Sequence, residues 1–352
     1  MDVDSALKRV RSAVRYCQNN IGWNRIGVGL SLCIIAAALA VLHRMLQGMD
    51  VDDVVDAIRG VEPSAVALAA VFVAAGYFTL TFYDLFALRT LGLKHVPYRI
   101  AALAGFTSYS VGHNVGATVF TGGAVRYRIY SANGLDAVDV AKVCFLAGLT
   151  FWLGNATVLG LGILAEPEAA SAIDQLPPLL NRALACMVLA VLACYVVWVW
   201  RRPRLLGRGG WRVTLPDGPS TLVQIGIGIV DLGCCALAMY VLLPAEPQIG
   251  FITLAVIFVS ATLLGFASHA PGGLGVFDAA MLIALWQFDK EDLLAGLLLF
   301  RLLYYIVPFA LALLILGVRE IVMSLQGAKR LLPPPRIKTA APLTTEIDRD
   351  PR

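Results

Sequence analysis

Residues 101–137 read AALAGFTSYSVGHNVGATVFTGGAVRYRIYSANGLDA, and residues 251–286 read FITLAVIFVSATLLGFASHAPGGLGVFDAAMLIALW. Both are apolar enough for a bilayer, yet Gly, Pro, Ser, Asn and His interrupt them, so neither is a clean span. Around them lie apolar runs at 26–43, 63–83, 143–164, 183–200, 221–243 and 293–317, each near the ~20 residues that cross a bilayer as a helix. The 352 residues are 59% hydrophobic and 15% charged, against about 45–50% and 25% in soluble domains. That excludes a soluble globular protein. It equally excludes disorder, which needs low hydrophobicity and high net charge. The expected fold is an all-α polytopic membrane protein with six spanning helices.

Loop charge sets the direction of those helices, because Lys and Arg collect on the cytoplasmic side. Residues 1–25 carry Lys8, Arg9, Arg11, Arg15 and Arg25, while 44–62 carry Asp50, Asp52, Asp53 and Asp56. Basic 84–100 (Arg89, Lys94, Arg99), acidic 165–180 (Glu166, Glu168, Asp174) and the block Arg201 to Arg212 continue the alternation. Both termini are expected in the cytoplasm, and the chain in the inner (cytoplasmic) membrane. Parity then requires 101–137 to enter from the cytoplasm and return to it, and 251–286 to enter from outside and return there. Both are expected to be re-entrant hairpins sheltered by protein. Span, hairpin, span occurs twice, over 63–164 and 221–317 with opposite orientation, which is the pattern of an inverted-repeat transporter. The hairpins are expected to turn at Gly122-Gly123 and at Pro271-Gly272-Gly273, with His113, Asn114 and His269 as polar shoulders.

The apolar core of the first run exceeds the ~7–15 residues of a signal peptide, so it is expected to be an uncleaved span. The domain layout is a basic cytoplasmic segment over 1–25, a membrane domain over 26–320, and a cytoplasmic, disordered tail over 321–352. The seven cysteines, among them Cys234 and Cys235, lack CxxC spacing and read as small apolar residues. No metal site and no cofactor are expected, and there is no GxxxxGK[ST] nucleotide signature.

Three charges, Asp231, Asp278 and Arg301, fall inside apolar stretches, where a helix-centre charge costs ~2.5–3.5 kcal/mol. They belong against protein or a wet cavity, with Arg301 paired to Asp231 or Asp278. Such a pair either locks two helices or lines a path for a charged headgroup. Arg126 and Arg128, near Lys142, suit a lipid phosphate; an ordinary positive-inside cluster has the same composition. Asp84 reads as an interface residue meeting Arg89. His113 and His269 either satisfy hairpin backbone groups or act as a general base.

The segments Tyr109-Ser110-Val111-Gly112-His113-Asn114-Val115-Gly116 and Gly122-Gly123-Ala124-Val125-Arg126-Tyr127-Arg128, with Pro271-Gly272-Gly273-Leu274-Gly275-Val276-Phe277-Asp278, resemble the two signatures of the flippase-like transmembrane domain of lysylphosphatidylglycerol synthases. Glu is usual there at the position of Asp278. The resemblance covers roughly 25–320 and implies movement of a phospholipid between leaflets, with Arg126, Arg128, Asp278 and Arg301 as charged site residues; Asp231 joins this headgroup-binding set on its position inside an apolar run alone. The full synthases continue into a soluble aminoacyl-transferase domain and this chain ends at Arg352, so lysyl transfer is not expected. A phospholipid translocase without enzymatic activity is the leading reading. A transporter of a small solute and a membrane-embedded lipid-modifying enzyme are the alternatives. Expected partners are the phospholipid and membrane lipids, a second copy forming a homodimer, and a separate lipid-synthesising enzyme; no nucleic acid is expected.

Overall fold

The computed structural model describes residues 56, 59–116, 118–201, 204–207, 211–268 and 271–330. The expected first span at 26–43, the basic segment 1–25 and His269 lie outside the described residues. The chain divides into two units, Met1–Leu313 and Leu314–Arg352.

In chain order the helices are α1 (Pro63–Thr90), α2 (Tyr98–Val115), α3 (Thr118–Ser131), α4 (Ala137–Ala165), α5 (Pro167–Asp174) and α6 (Pro178–Arg201). A two-residue hairpin follows, β1 (Leu205–Leu206) antiparallel to β2 (Val213–Thr214). Then come α7 (Gly218–Leu242), α8 (Phe251–Ala267), a 3-10 turn (Pro271–Gly273), α9 (Val276–Ala284), α10 (Lys290–Arg301), a π turn (Leu302–Ile306) and α11 (Val307–Arg330). Five helical segments are long and apolar enough to cross a membrane: Pro63–Thr90, Ala137–Ala165, Pro178–Trp200, Gly218–Leu242 and Lys290–Met323. They match the five described apolar runs, extended by polar residues at their ends.

Local chemistry starts these helices where they start. Asp136, Asp217 and Asp289 cap α4, α7 and α10 by accepting from the backbone N–H of Asp139, Ser220 and Glu291, which satisfies a donor with no partner inside the helix. Pro63 opens α1, where its missing N–H costs nothing. The 28 residues of α1 span about 42 Å at 1.5 Å per residue, longer than the ~30 Å hydrocarbon layer.

The two broken stretches each fold back on themselves. Thr118 Oγ1 donates to the Gly112 carbonyl at 3.1 Å, and a Cβ on Gly122 would lie 3.1 Å from the Ser108 carbonyl, so α3 runs antiparallel along α2. The chain reverses at Gly116, with φ +80°, the left-handed region that glycine enters without a steric cost. Gly122 and Gly123 therefore do not form the expected turn: they lie inside α3, and at Gly122 the missing side chain lets the two helices approach. In the second stretch the reversal does use the glycines: Gly272, Gly273 and Gly275 all have positive φ. There Phe258 of α8 meets Phe277 of α9 at 5.7 Å.

The core joins α1, α7, α8 and α10 through fully buried Leu80, Met239, Leu254 and Phe300. By contrast α6 has only 11% of its apolar window buried, against 39 to 50% in the other candidate spans, so it offers the membrane most of its surface. Helix α11 continues to Arg330, so residues 321–330 of the expected tail are helical. The sequence holds no proline between Pro308 and Pro333 to stop it.

Candidate functional site

Asp84 sits six residues before the end of α1 and is fully buried. Arg126 of α3 reaches it as a fork: Nε lies 3.1 and 3.0 Å from its two oxygens and Nη2 lies 2.7 Å from Oδ1. The Tyr130 hydroxyl donates to Oδ2 at 2.7 Å. The Tyr109 ring covers the guanidinium, 4.7 Å from Cζ to centroid, within cation–π range. Asp84 therefore meets Arg126, not Arg89, whose guanidinium donates to the Lys94 carbonyl.

The second pair is Asp278 of α9 with Arg301 of α10, at 2.8 Å (Nε to Oδ1) and 2.6 Å (Nη2 to Oδ2). Arg301 Nη1 also donates to the Gly272 carbonyl, and the Gly275 N–H donates to Asp278. Phe277 and Tyr305 flank this guanidinium at 5.8 and 5.6 Å. Of the two partners left open for Arg301, the structure selects Asp278.

Asp231 takes neither arginine. It is 4% exposed and accepts from the Tyr83 hydroxyl at 2.9 Å, while its Oδ1 has no partner. The neighbouring π turn is the other unusual feature. A π turn shifts backbone bonding from i+4 to i+5, and here Tyr77 donates to the Tyr304 carbonyl and Asn114 to the Tyr305 carbonyl. Those two bonds tie α1 and α2 to the segment after Arg301.

A cavity of about 210 Å³ lies between the two folded-back stretches. Tyr109, Phe277 and Tyr305 line it, and the same three rings cover the guanidiniums of Arg126 and Arg301. Each ion pair thus stands one aromatic ring from the cavity. Asp231 and His113 supply polar lining, and His113 Nδ1 is buried without a partner. Val119 and Phe120, 75% and 80% exposed, also line the cavity and so form an apolar rim.

The sequence-based set is thus divided. Arg126, Arg301, Asp278, Asp231, His113, Gly272 and Gly273 lie in or beside the cavity, and Asn114 braces it. Arg128 is two residues from Arg126, about 200° around a helix, and is partly exposed. The two arginines do not face one anion together. Lys142 pairs with Asp139 at 3.8 Å. Sequence reasoning missed Asp84 and the tyrosines. The available signal was that charges within a membrane come in opposite-sign pairs, which leaves a buried arginine in need of a carboxylate.

The architecture and cavity define a polytopic α-helical membrane protein with a central, apolar-rimmed site. No family model matches the chain. It is 28% identical over 293 residues to an uncharacterized protein of Synechocystis sp., covering 83% of this chain and 91% of that one. Against the inner membrane protein YbhN of Escherichia coli it is 28% identical over 293 residues, covering 81% and 89%. Against the phosphatidylglycerol lysyltransferase of Staphylococcus xylosus it is 25% identical over 302 residues, 82% of this chain but only 33% of that protein. The resemblance to lysylphosphatidylglycerol synthases thus extends over about four-fifths of the chain.

Proposed function

We propose that this chain is a phospholipid translocase of the cytoplasmic membrane, with both termini in the cytoplasm and the two folded-back stretches acting as re-entrant hairpins of an inverted repeat. The observation that carries the reading is the cavity rim. Val119 and Phe120 give the site an apolar, exposed edge, which suits entry from lipid better than a water-filled vestibule. Its size favours a headgroup: about 210 Å³ is below the ~300–1,000 Å³ of drug-sized ligand sites, so acyl chains stay in the bilayer. Similarity to a protein named as a phosphatidylglycerol lysyltransferase supports a lipid as the cargo.

Within this reading Arg126 and Arg301 hold Asp84 and Asp278 while the cavity is closed, and exchange part of that contact for the lipid phosphate as it opens. The binding set is Arg126, Arg301, Asp278 and Asp231, with Arg128 meeting headgroups at the surface. A base role for His113 gains no support from its ring neighbours Tyr109, Phe266 and Tyr304, since none is a carboxylate that orients an imidazole.

The test is leaflet exchange of fluorescent phospholipids in liposomes holding the purified chain, beside Phe120→Asp. A charge on the rim is expected to slow exchange at least tenfold, whereas Phe120→Leu, which keeps the rim apolar, is expected to exchange at the wild-type rate. Equal exchange rates would remove the rim from the path.

A further inference from the structure

The three carboxyls beside the cavity, Asp84, Asp231 and Asp278, are treated differently. Asp84 and Asp278 each have both oxygens occupied by a guanidinium. Asp231 has one neutral hydroxyl on Oδ2 and nothing on Oδ1, although it is nine-tenths buried and lines the cavity. A carboxylate there lacks a compensating cation, whereas the same group with a proton bound is neutral and gains a donor. Its two forms therefore suit two states of the cavity, neutral when dry and charged when water or a cation enters.

The titratable groups around Asp231 come from several packed elements. Tyr77 and Tyr83 of α1, Tyr109 of α2, Tyr304 of the π turn, and Cys234 and Cys235 on its own helix are the titratable groups facing it. His113 lines the same cavity. Helix α8 has no titratable residue. On α4, Cys144 lies by Arg126 and Lys142 by Asp139; on α10, Arg301 is held by Asp278. On α6, the Tyr195 ring lies tilted against Trp198 at 6.3 Å.

We propose that Asp231 is a proton-binding site that couples lipid movement to the proton gradient. The proposal rests on the translocase reading and adds its energy source. In one cycle the carboxyl gives its proton to water entering from one side, and the carboxylate later takes one from water on the other side. One proton is carried, no electron moves, and no covalent bond beyond O–H forms or breaks.

Two measurements on the full chain test this. The first is a pH-titrated infrared difference spectrum in lipid nanodiscs. Wild type is expected to show a protonated-carboxyl band that comes and goes with pH and is absent in Asp231→Asn, which keeps an acceptor for Tyr83. If that variant does not fold, Tyr83→Phe is expected to show the band displaced in pH, and an unmoved band would overturn the proposal. The second is leaflet exchange with and without an imposed pH gradient. Wild type is expected to respond several-fold, and the pH at which that response is half-maximal should move with the band in Tyr83→Phe, which removes the donor to Asp231. No titrating band dependent on Asp231, or wild-type exchange indifferent to the gradient, overturns the coupling while leaving translocation standing. A titrating band in a protein that exchanges no lipid removes the translocase reading and the coupling with it.

Discussion

Asp84 stands one residue past the apolar run 63–83, which is why position alone assigned it to an interface. The helix continues to Thr90, so Asp84 lies inside it and is fully buried. Removing one partner of a buried ion pair costs about 3–5 kcal/mol, while replacing both by apolar residues of similar volume is often neutral. Denaturation of detergent-solubilised protein should therefore show Asp84→Asn and Arg126→Met each losing roughly 3 kcal/mol or more. The double variant Asp84→Leu with Arg126→Met should recover most of that loss. Additive losses would contradict the pair as described. Asp278→Asn should cost less than Asp84→Asn, because the Asp278 side chain is 23% exposed against 0% for Asp84 and water can reach the group left behind.

Short and long apolar runs were equally visible in the sequence, and the five described spans appear where the runs are. The direction of chain reversal was less visible. Gly122-Gly123 and Gly272-Gly273 have the same composition, but only the second pair takes positive φ. The first serves helix contact, a distinction that depends on what faces each glycine. The π turn was not legible at all, since Leu302–Ile306 is an unbroken apolar segment and its bonding is set by Tyr77 and Asn114 from distant helices. Gly122→Val should overpack α3 against the Ser108 carbonyl and destabilise by ~1–3 kcal/mol. Gly148→Ala, where a Cβ meets nothing within 4 Å, should instead stabilise α4 by ~0.5–1 kcal/mol. Paired unfolding curves check both, and the same sign for the two variants would contradict the α2–α3 contact.

On the scale of the described residues before Leu314, the cavity, its apolar rim and the two ring-covered ion pairs form one arrangement. A lipid-facing rim makes a labelling prediction. With the native cysteines replaced, Phe120→Cys should react with a membrane-soluble maleimide and resist a charged, impermeant one applied from either side. The measurement that separates lipid from solute movement most directly uses vesicles carrying a fluorescent phospholipid in both leaflets and a water-soluble headgroup analogue inside. An external reductant should quench nearly the whole lipid pool in protein vesicles, but only the outer leaflet in empty ones, while the trapped analogue stays inside. Loss of the analogue with the inner leaflet still protected would instead make the chain a solute transporter.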